Sequence, residues 1–212
     1  MVVCMTKEVS VKKLLVACMV FFMPLCAQGE NVLVLAGSTR AESVNKKLAK
    51  EAARIAQEMG AQVTVIDLKD FPIPLYDADL EAKSGMPKNA KKLRDLMIAN
   101  QSIVIVSPEY NASIPAVLKN ALDWASRGEK GGFSLDAFKG KKFALMSASP
   151  SKMGGARALV HLRTIIEAVG GQVVEKQVSV PNAYEKGALD NSRLQEELKE
   201  ELSQLLGNEV NR

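Results

Sequence analysis

The sequence predicts an α/β domain in which helices cover both faces of a five-stranded parallel sheet. Short apolar segments alternate with longer segments of helical periodicity from Asn31 onward. The apolar segments hold few polar residues, as strands do when both faces of their sheet are covered. Glycines and prolines stand between the segments and mark their ends. Strands and helices that alternate in this way form a parallel sheet with crossover helices.

The first elements are a strand, a helix, a second strand and a loop. Val32–Ala36 is an uninterrupted apolar run that ends at Gly37. The segment Ser43–Gly60 carries apolar residues three or four positions apart and ends at a glycine, which favours the C-terminus of a helix. Val63–Asp67 is predicted to be the second strand. Residues 70–87 contain three prolines and a glycine, and we therefore expect a loop.

The middle elements repeat the same order. Lys88–Ala99 is predicted to be a helix, and Ser102–Val106 follows it as the most apolar of the strands. Ile114–Ser126 has helical spacing and ends before a loop over 128–132 that contains three glycines. Lys142–Ser147 is the fourth predicted strand.

The last elements set the strand count and hence the topology. Gly154–Val169 is predicted to be a helix that ends at two glycines, Gln172–Glu175 a fifth strand, and Leu189–Leu206 a charged amphipathic helix. Two orders are common in doubly wound sheets, the six-stranded dinucleotide-binding form and the flavodoxin-like order 2-1-3-4-5. Five strands favour the flavodoxin-like order. No internal repeat or linker interrupts residues 31–206.

Charge and composition exclude several function classes. Hydrophobic residues make up 47% of the chain and charged residues 25%, which is ordinary for a globular protein. The net charge is +4 and no block of like charges is present, so nucleic-acid binding is not predicted. All three cysteines lie in the first 26 residues, and His161 is the single histidine. A metal site built from cysteine or histidine is therefore excluded for the α/β domain, and so is a disulfide.

Residues 1–29 differ from the remainder and are predicted to form a signal peptide or a membrane-held segment. Two lysines, Lys12 and Lys13, precede an apolar run of about a dozen residues, too short for a membrane span of roughly 20. Cleavage fits after Ala27 or after Gly29. A lipid anchor at Cys26 is disfavoured because a bulky leucine precedes it. The domain itself then covers 30–212.

An incorrectly assigned start codon is the alternative explanation of this segment. Translation from Met19 or Met23 would leave a cytoplasmic protein, whereas a genuine signal would place the chain outside the cytoplasm or at a membrane. The apolar stretch favours export, because it has no part in a five-stranded sheet.

The loop after the first strand has the composition of a phosphate site. It leads into a helix N-terminus, which attracts anions, and it offers the hydroxyls of Ser38, Thr39 and Ser43 with the guanidinium of Arg40. It has neither the glycines that cradle a dinucleotide pyrophosphate nor the lysine of an ATP- or GTP-binding loop. A terminal monophosphate is therefore predicted. An ordinary turn with Ser43 as N-cap and Arg40 in solvent is the alternative.

The loops after the third and fourth strands end at the same edge of the sheet, where doubly wound folds bind ligands. Segment 107–115 combines two prolines with Asn111 and Ser113, which gives polar groups on a rigid backbone. Segment 147–157 is rich in small residues, which would let a flat ring approach the backbone. The alternative explanation of the first segment is that Pro115 only marks the start of a helix. For the second it is a flexible glycine turn before a helix.

These loops carry a resemblance to a known family. The chain resembles the NADPH-dependent FMN reductase family, in particular its quinone and chromate reductase branch, over roughly residues 31–180. The matching segments, in the order of the family, are Gly37–Arg40 with Ser43 and Asn45, Ile73–Asp79, Pro108–Asn111, Leu118–Trp124, and Gly154–Arg157 with His161–Arg163. The PEYN and LKNALDW segments together are the specific part of this match.

The resemblance implies a bound FMN and a set of residues that hold it. Ser38, Arg40, Ser43 and Asn45 would bind the phosphate, Pro108, Glu109, Tyr110 and Asn111 would line the isoalloxazine ring, and Ser149 would approach the ring from the third loop. NADPH or NADH would donate hydride through the flavin to a flavin, quinone or similar small acceptor by a ping-pong mechanism. No catalytic side chain and no metal are implied, since the chemistry belongs to FMN. The family also implies a homodimer or homotetramer.

Two rival functions remain beside this prediction, and several other residues receive a structural interpretation. A flavodoxin-type electron carrier would lack turnover of NAD(P)H, but the net charge of +4 and the 70–85 loop argue against it; a non-catalytic FMN- or nucleotide-binding protein is the third candidate. We expect Trp124 in the core, Asp123 in a structural or subunit contact and His161 at some distance from the loops. Three acidic residues are expected to be flexible and partly solvated rather than metal ligands: Asp77, Asp79 and Glu81.

Overall fold

The computed structural model describes residues 29–207 and contains one parallel sheet. The strands are β1 (Asn31–Ala36), β2 (Gln62–Asp67), β3 (Ser102–Val106), β4 (Lys142–Ala148), β5 (Gln172–Val173) and β6 (Val178–Val180). Their order is β2-β1-β3-β4-β5, and β6 also pairs with β4. The predicted flavodoxin-like order 2-1-3-4-5 is thereby confirmed.

Helices cover both faces of the sheet, as predicted. They are α1 (Val44–Glu58), α2 (Ala78–Ser84), α3 (Lys88–Ala99), α4 (Ala116–Ala125), α5 (Ala156–Ala168) and α6 (Ser192–Leu206). Side chains of β1 alternate between two cores: Val32 and Val34 pack with α1 and α6, whereas Leu33 and Leu35 pack with α3, α4 and α5. This alternation explains why the strand is apolar at every position.

The segment 70–87 is more ordered than the predicted loop, because it contains helix α2. Asp77 begins that helix, and its carboxylate accepts hydrogen bonds from the N–H groups of Asp79 and Leu80. Gly85 ends the helix with a φ of 68°. The prolines that suggested a loop flank the helix and leave its interior free of them.

The fifth position of the sheet is divided between two short strands. The predicted strand Gln172–Glu175 ends at Val173, and β6 resumes beside β4 five residues later. In the interval, Arg163 donates to the carbonyl of Val174 at 2.6 Å. The N–H group of Leu145, which has no strand partner on this side, donates to the buried carboxyl group of Glu201 at 2.7 Å. Side chains of α5 and α6 thus replace part of the ladder.

Within residues 29–207, no helix combines the length and the apolarity that crossing a membrane requires. The predicted signal peptide over 1–29 lies outside the described residues, apart from its last position. It stays a prediction.

Candidate active site

One cleft at the carboxyl edge of the sheet brings the three predicted loops together. Eight of the nine predicted site residues line it: Ser38, Arg40, Ser43, Asn45, Pro108, Glu109, Tyr110 and Ser149. Asn111 is the exception, since it is exposed on the turn that follows. The edge of the sheet therefore assembles residues that are up to 111 positions apart in sequence.

The first loop presents buried hydroxyls to this cleft. Ser38 and Ser43 are only 2% and 4% exposed, and the Gly37 N–H anchors the loop to Val106 O at 2.8 Å. Ser43 holds the N-cap position of α1, yet its side chain makes no capping hydrogen bond among the described residues. The alternative in which Ser43 only caps the helix is therefore not what the structure shows. The Ser43 side chain therefore leaves the first N–H groups of α1 without a hydrogen bond from it.

Asn45 faces the cleft but directs its amide to the sheet. Its Nδ2 donates to the carbonyl of Ala148 at 2.9 Å, and its Oδ1 accepts from the N–H of Ala148 at 2.9 Å. Both ends of the amide thus join α1 to the end of β4. The predicted phosphate residue fixes the distance between the first and third loops.

The second loop contains a strained turn. Tyr110 and Ser113 exchange backbone hydrogen bonds of 2.9 and 3.0 Å. The two residues between them have left-handed backbone conformations, with φ of 51° for Asn111 and 62° for Ala112. This is a type I′ turn, a conformation that asparagine tolerates and alanine adopts at a cost. The turn presents Tyr110, which is about half exposed, at the mouth of the cleft.

Glu109 links the second loop to helix α5. Its carboxylate is almost completely buried; it accepts from Nε of Arg157 at 2.9 Å and from the N–H of Ala158 at 3.3 Å. Burial alone would raise the pKa of Glu109, but the hydrogen bonds and charge of Arg157, together with the helix N–H, hold it below its ordinary value. The residue therefore stays ionised and stabilises the first turn of α5.

The third loop is tightly packed rather than flexible. Gly154 and Gly155 both have positive φ, 60° and 89°. A Cβ on Gly155 would lie 1.9 Å from Oγ of Ser147, and one on Gly154 would lie 2.9 Å from the backbone of Val180. The two glycines therefore permit a close approach of this loop to β4 and β6. Ser149 is placed by the same packing, since its N–H donates to Val180 O at 3.1 Å.

Tyr184 also lines the cleft, and sequence analysis did not identify it. Its hydroxyl accepts a hydrogen bond from Nη1 of Arg40 at 3.1 Å. Tyr184 follows β6, which was not predicted as a strand. Ligands bind at the carboxyl ends of parallel strands, and this rule located the other three loops. If β6 had been predicted as a strand, the same rule would have included the segment after it.

The LKNALDW segment shapes the surroundings of the cleft from helix α4. Trp124 is fully buried, as predicted, and its Nε1 donates to the carbonyl of Pro74 at 2.8 Å. Asn120 accepts from the N–H of Tyr76 at 2.8 Å and donates to the same Pro74 carbonyl at 3.0 Å. This part of the motif holds the segment before α2 in place.

Three other predicted side chains have specific partners. Glu81 is buried and pairs with Arg127 at 2.8 Å, so its interpretation as a flexible, partly solvated acid was wrong. The hydrogen bond from Arg127 lowers the pKa of Glu81, although burial opposes it. His161 lies nearer the second loop than predicted, with Nδ1 2.9 Å from Oγ of Ser113. Asp123 pairs with Lys119 on the exposed side of α4 at 2.6 Å.

The donor set of the cleft fits the phosphate of FMN. It combines two buried hydroxyls, one guanidinium and a helix N-terminus, all of which favour an anion. The carboxylate that reaches the cleft, that of Glu109, is already neutralised by Arg157. The first loop lacks the glycine pattern that cradles a dinucleotide pyrophosphate.

Comparisons with known proteins agree with this geometry. The model of the NADPH-dependent FMN reductase family matches residues 31–185. A quinone reductase of Escherichia coli is 36% identical over 148 residues, which is 68% of this chain and 73% of the relative. An NAD(P)H-dependent FMN reductase of Pseudomonas aeruginosa is 33% identical over 179 residues, 82% of this chain and 92% of the relative. The structure of FerB, a flavoenzyme NAD(P)H:(acceptor) oxidoreductase from Paracoccus denitrificans, superposes with a TM-score of 0.70 at 25% identity and covers 84% of this chain and 96% of that one.

Proposed function

The chain belongs to the NADPH-dependent FMN reductase family, and from this premise we propose that it holds FMN in the cleft and uses NAD(P)H to reduce a quinone or similar small acceptor. Family membership confirms the predicted enzyme class, with FMN as cofactor and NAD(P)H as donor. The identity of the acceptor is our proposal. The observation that carries the proposed FMN site is the group of buried hydroxyls and a guanidinium at the N-terminus of α1.

Each loop has a separate part in this proposal. Ser38, Ser43 and Arg40 bind the phosphate at the N-terminus of α1, where hydroxyls, N–H groups and a positive charge meet. Pro108 and Tyr110 line the ring from the second loop, and Ser149 lines it from the third. Asn111, which lies outside the cleft, contributes through the backbone of the turn that holds Tyr110.

Asn45 and Glu109 act on the cofactor indirectly. The Asn45 amide fixes the separation of the first and third loops through Ala148. The Glu109 carboxylate fixes the second loop against α5 through Arg157. A flavin enzyme supplies binding, orientation and electrostatics, so residues that hold three loops at a fixed distance serve catalysis without touching the substrate.

The chemistry itself needs no acid or base from the chain. FMN held in the cleft would supply the redox chemistry, as a carrier of two electrons between the nicotinamide and the acceptor. Because donor and acceptor must both meet the same face of the flavin ring, we propose that they use one site in turn, which gives ping-pong kinetics.

Absorption spectroscopy of the purified full-length chain tests the proposal first. We expect a flavin spectrum, or uptake of FMN in preference to FAD and riboflavin, followed by bleaching when NADPH is added without oxygen. Steady-state oxidation of NADPH with a quinone should then give parallel double-reciprocal plots. Intersecting plots would contradict the ping-pong order, and equal affinity for FMN and riboflavin would contradict the phosphate site.

The same assay separates the rival functions. A flavodoxin-type carrier would bind FMN but would not oxidise NAD(P)H at a steady rate by itself. A non-catalytic nucleotide-binding protein would purify without flavin, and a non-catalytic FMN-binding protein would hold FMN that NADPH does not reduce. Steady turnover with a small quinone supports the reductase and excludes both rivals.

Assembly and location are proposals as well. We propose a homodimer or homotetramer, which sedimentation equilibrium would measure. N-terminal sequencing of the native protein would decide its location: a chain that begins at Gln28 or Glu30 was exported, and one that begins at Met19 or Met23 is cytoplasmic.

A further inference from the structure

Tyr184 meets Arg40 over the phosphate cleft although 144 positions separate them. The hydroxyl of Tyr184 accepts from the guanidinium at 3.1 Å, and both residues line the cleft that also contains Ser38 and Ser43. Core packing does not explain this placement, since Tyr184 is 57% exposed. The exposed tyrosine is held where the cleft opens, which suggests a ligand rather than a structural partner.

The backbone around Tyr184 fixes it between the first and third loops. Ala183, the residue before it, is buried, and its N–H donates to the carbonyl of Ser149 at 3.0 Å. Asn182 has a left-handed conformation with a φ of 49°, and its carbonyl accepts from the N–H of Glu185 at 2.9 Å. A tight turn tied to the third loop thus carries Tyr184 to Arg40. The position of the hydroxyl is set by the turn.

The direction of the hydrogen bond leaves the phenol with a hydrogen to donate. Arg40 can only donate, so the oxygen of Tyr184 is the acceptor in their contact. A phenol carries one hydrogen of its own, and a neighbouring guanidinium polarises it and favours an anion as its acceptor. The pair therefore offers an anion both a positive charge and a second O–H donor.

A second observation at the same place indicates an anionic ligand. Ser43 is more than nine-tenths buried, lines the cleft and caps no N–H group of α1 within the described residues. Ser43 lies in the loop after β1 and Tyr184 follows β6, so two different parts of the chain bring a hydroxyl-bearing residue to this cleft. A ligand with several acceptor oxygens satisfies both.

We propose that Tyr184 is a phosphate-binding residue of this chain, whose hydroxyl, held by Arg40, donates to the phosphate of FMN. The inference rests on the proposed function, because it assigns one more contact to the same cofactor. It predicts that Tyr184 discriminates FMN from riboflavin, which has the same ring but no phosphate.

Flavin titration of the full chain, stripped of bound flavin, tests this assignment by fluorescence quenching. The variants are Tyr184→Phe, Arg40→Ala and the double variant, with the neighbouring Glu185→Gln as control. Loss of a hydrogen bond to a charged group should weaken FMN binding roughly tenfold or more in Tyr184→Phe. Riboflavin binding should not change in any variant. The double variant should lose less affinity than the product of the two single effects, because the two residues act on one phosphate.

The outcomes separate this inference from the proposed function. If the unaltered chain binds FMN and riboflavin equally, the proposed phosphate site fails, and this assignment fails with it. If the unaltered chain prefers FMN and Tyr184→Phe keeps the full preference, the Tyr184 assignment alone is overturned. Equal weakening of FMN and riboflavin in Tyr184→Phe would show that the residue only joins two loops, which also overturns it. Thermal melting of each variant confirms that folding is unchanged.

Discussion

The amide of Asn45 and the backbone of Ala148 form two hydrogen bonds of 2.9 Å with each other, across 103 positions of sequence. One bond runs in each direction, so the side chain satisfies both the N–H and the carbonyl of the last residue of β4. The helix that follows the phosphate loop is thereby joined to the strand that leads into the third loop. The geometry of the cleft depends on this pair.

Replacement of Asn45 by alanine should destabilise the domain and widen the cleft. The variant leaves two buried backbone groups of Ala148 without their partner, and each such group costs about 1–3 kcal/mol. Urea denaturation measures the free energy of unfolding, with the exposed Lys47→Ala on the same helix as control. Equal stability of the two variants would contradict the role given to Asn45.

Glu109→Gln should weaken the link between the second loop and α5. The neutral amide loses its charge-assisted bonds to Arg157 and the helix N-terminus, which we expect to cost about 1–3 kcal/mol. Because the pKa of Glu109 is below its ordinary value in the folded state, its contribution is present above that ordinary value and is lost as pH falls through the lower folded pKa. Denaturation between pH 3 and 7 should show this acid-side loss in the unaltered chain and less of it in the variant. Glu58→Gln, which removes an exposed ion-pair partner of Arg54, serves as control. This variant should lose stability at acid pH as much as the unaltered chain does.

Glu201→Gln should change the pH dependence of stability in the sense opposite to Glu109→Gln, with its effect at neutral and alkaline pH. Burial raises the pKa of Glu201 well above its ordinary value; the hydrogen bond from the Leu145 N–H and the charges of Lys176 and Arg163 offset this only in part. A raised pKa means that stability is full at low pH and declines as pH rises from about 4.3 through the folded pKa. Relative to the glutamine variant, the unaltered chain should therefore lose up to about 1.4 kcal/mol per pH unit in that range.

The free energy of unfolding of the unaltered chain and of Glu201→Gln, measured from pH 5 to 9, checks this expectation. Glutamine still accepts from the Leu145 N–H, so the variant should match or exceed the unaltered chain at pH 8. Glu201→Leu has no acceptor for the Leu145 N–H and should be less stable than the glutamine variant at every pH. A constant difference between the glutamate and glutamine chains would mean that Glu201 does not titrate in this range.

Gly155→Ala should be far more disruptive than an alanine at a comparable glycine. Both Gly155 and Gly187 have positive φ, 89° and 80°, but a Cβ at Gly155 meets Oγ of Ser147 at 1.9 Å, whereas one at Gly187 has open space. Alanine at Gly187 should cost about 1–2 kcal/mol for the backbone conformation alone. Alanine at Gly155 adds a collision, so its urea midpoint should fall further. Similar midpoints would show that the third loop moves freely away from β4.

The sequence predicted the sheet well because its main strands are buried on both faces. Val32–Ala36 is apolar throughout and Ser102–Val106 is apolar after its first residue, and the structure buries every residue of both. Helix α2 was missed because the prolines around it outweighed the capping aspartate Asp77 and the helix-forming residues after it. Capping is a local signal and could have been used.

The division of the fifth strand could not be predicted from local sequence. Gln172–Glu175 has the composition of a strand, but the chain leaves the sheet after Val173, and a carboxyl group from Glu201 takes over the pairing of Leu145. That contact joins residues 56 positions apart and depends on how α6 packs. Propensity and periodicity contain no information about it.

The three loops could be predicted to lie together because the carboxyl ends of parallel strands meet at one edge, and the family resemblance supplied the candidate residues within them. Eight of nine share a cleft, yet the rule places residues without directing their side chains. It therefore could not show that Asn45 turns to Ala148 or that Glu109 turns to Arg157. Those directions follow from tertiary packing alone.

The carboxyl group of Glu201 makes the last helix a component of the sheet, and this sets the point in synthesis at which the domain can finish folding. A nascent chain that has already left the ribosome as far as β6 contains every strand, but Leu145 in the penultimate position of the sheet still lacks its acceptor. Chains that terminate ahead of residue 201 keep that defect permanently and expose the apolar face that α6 covers. Such products would be held by chaperones and degraded rather than accumulate as smaller flavoproteins.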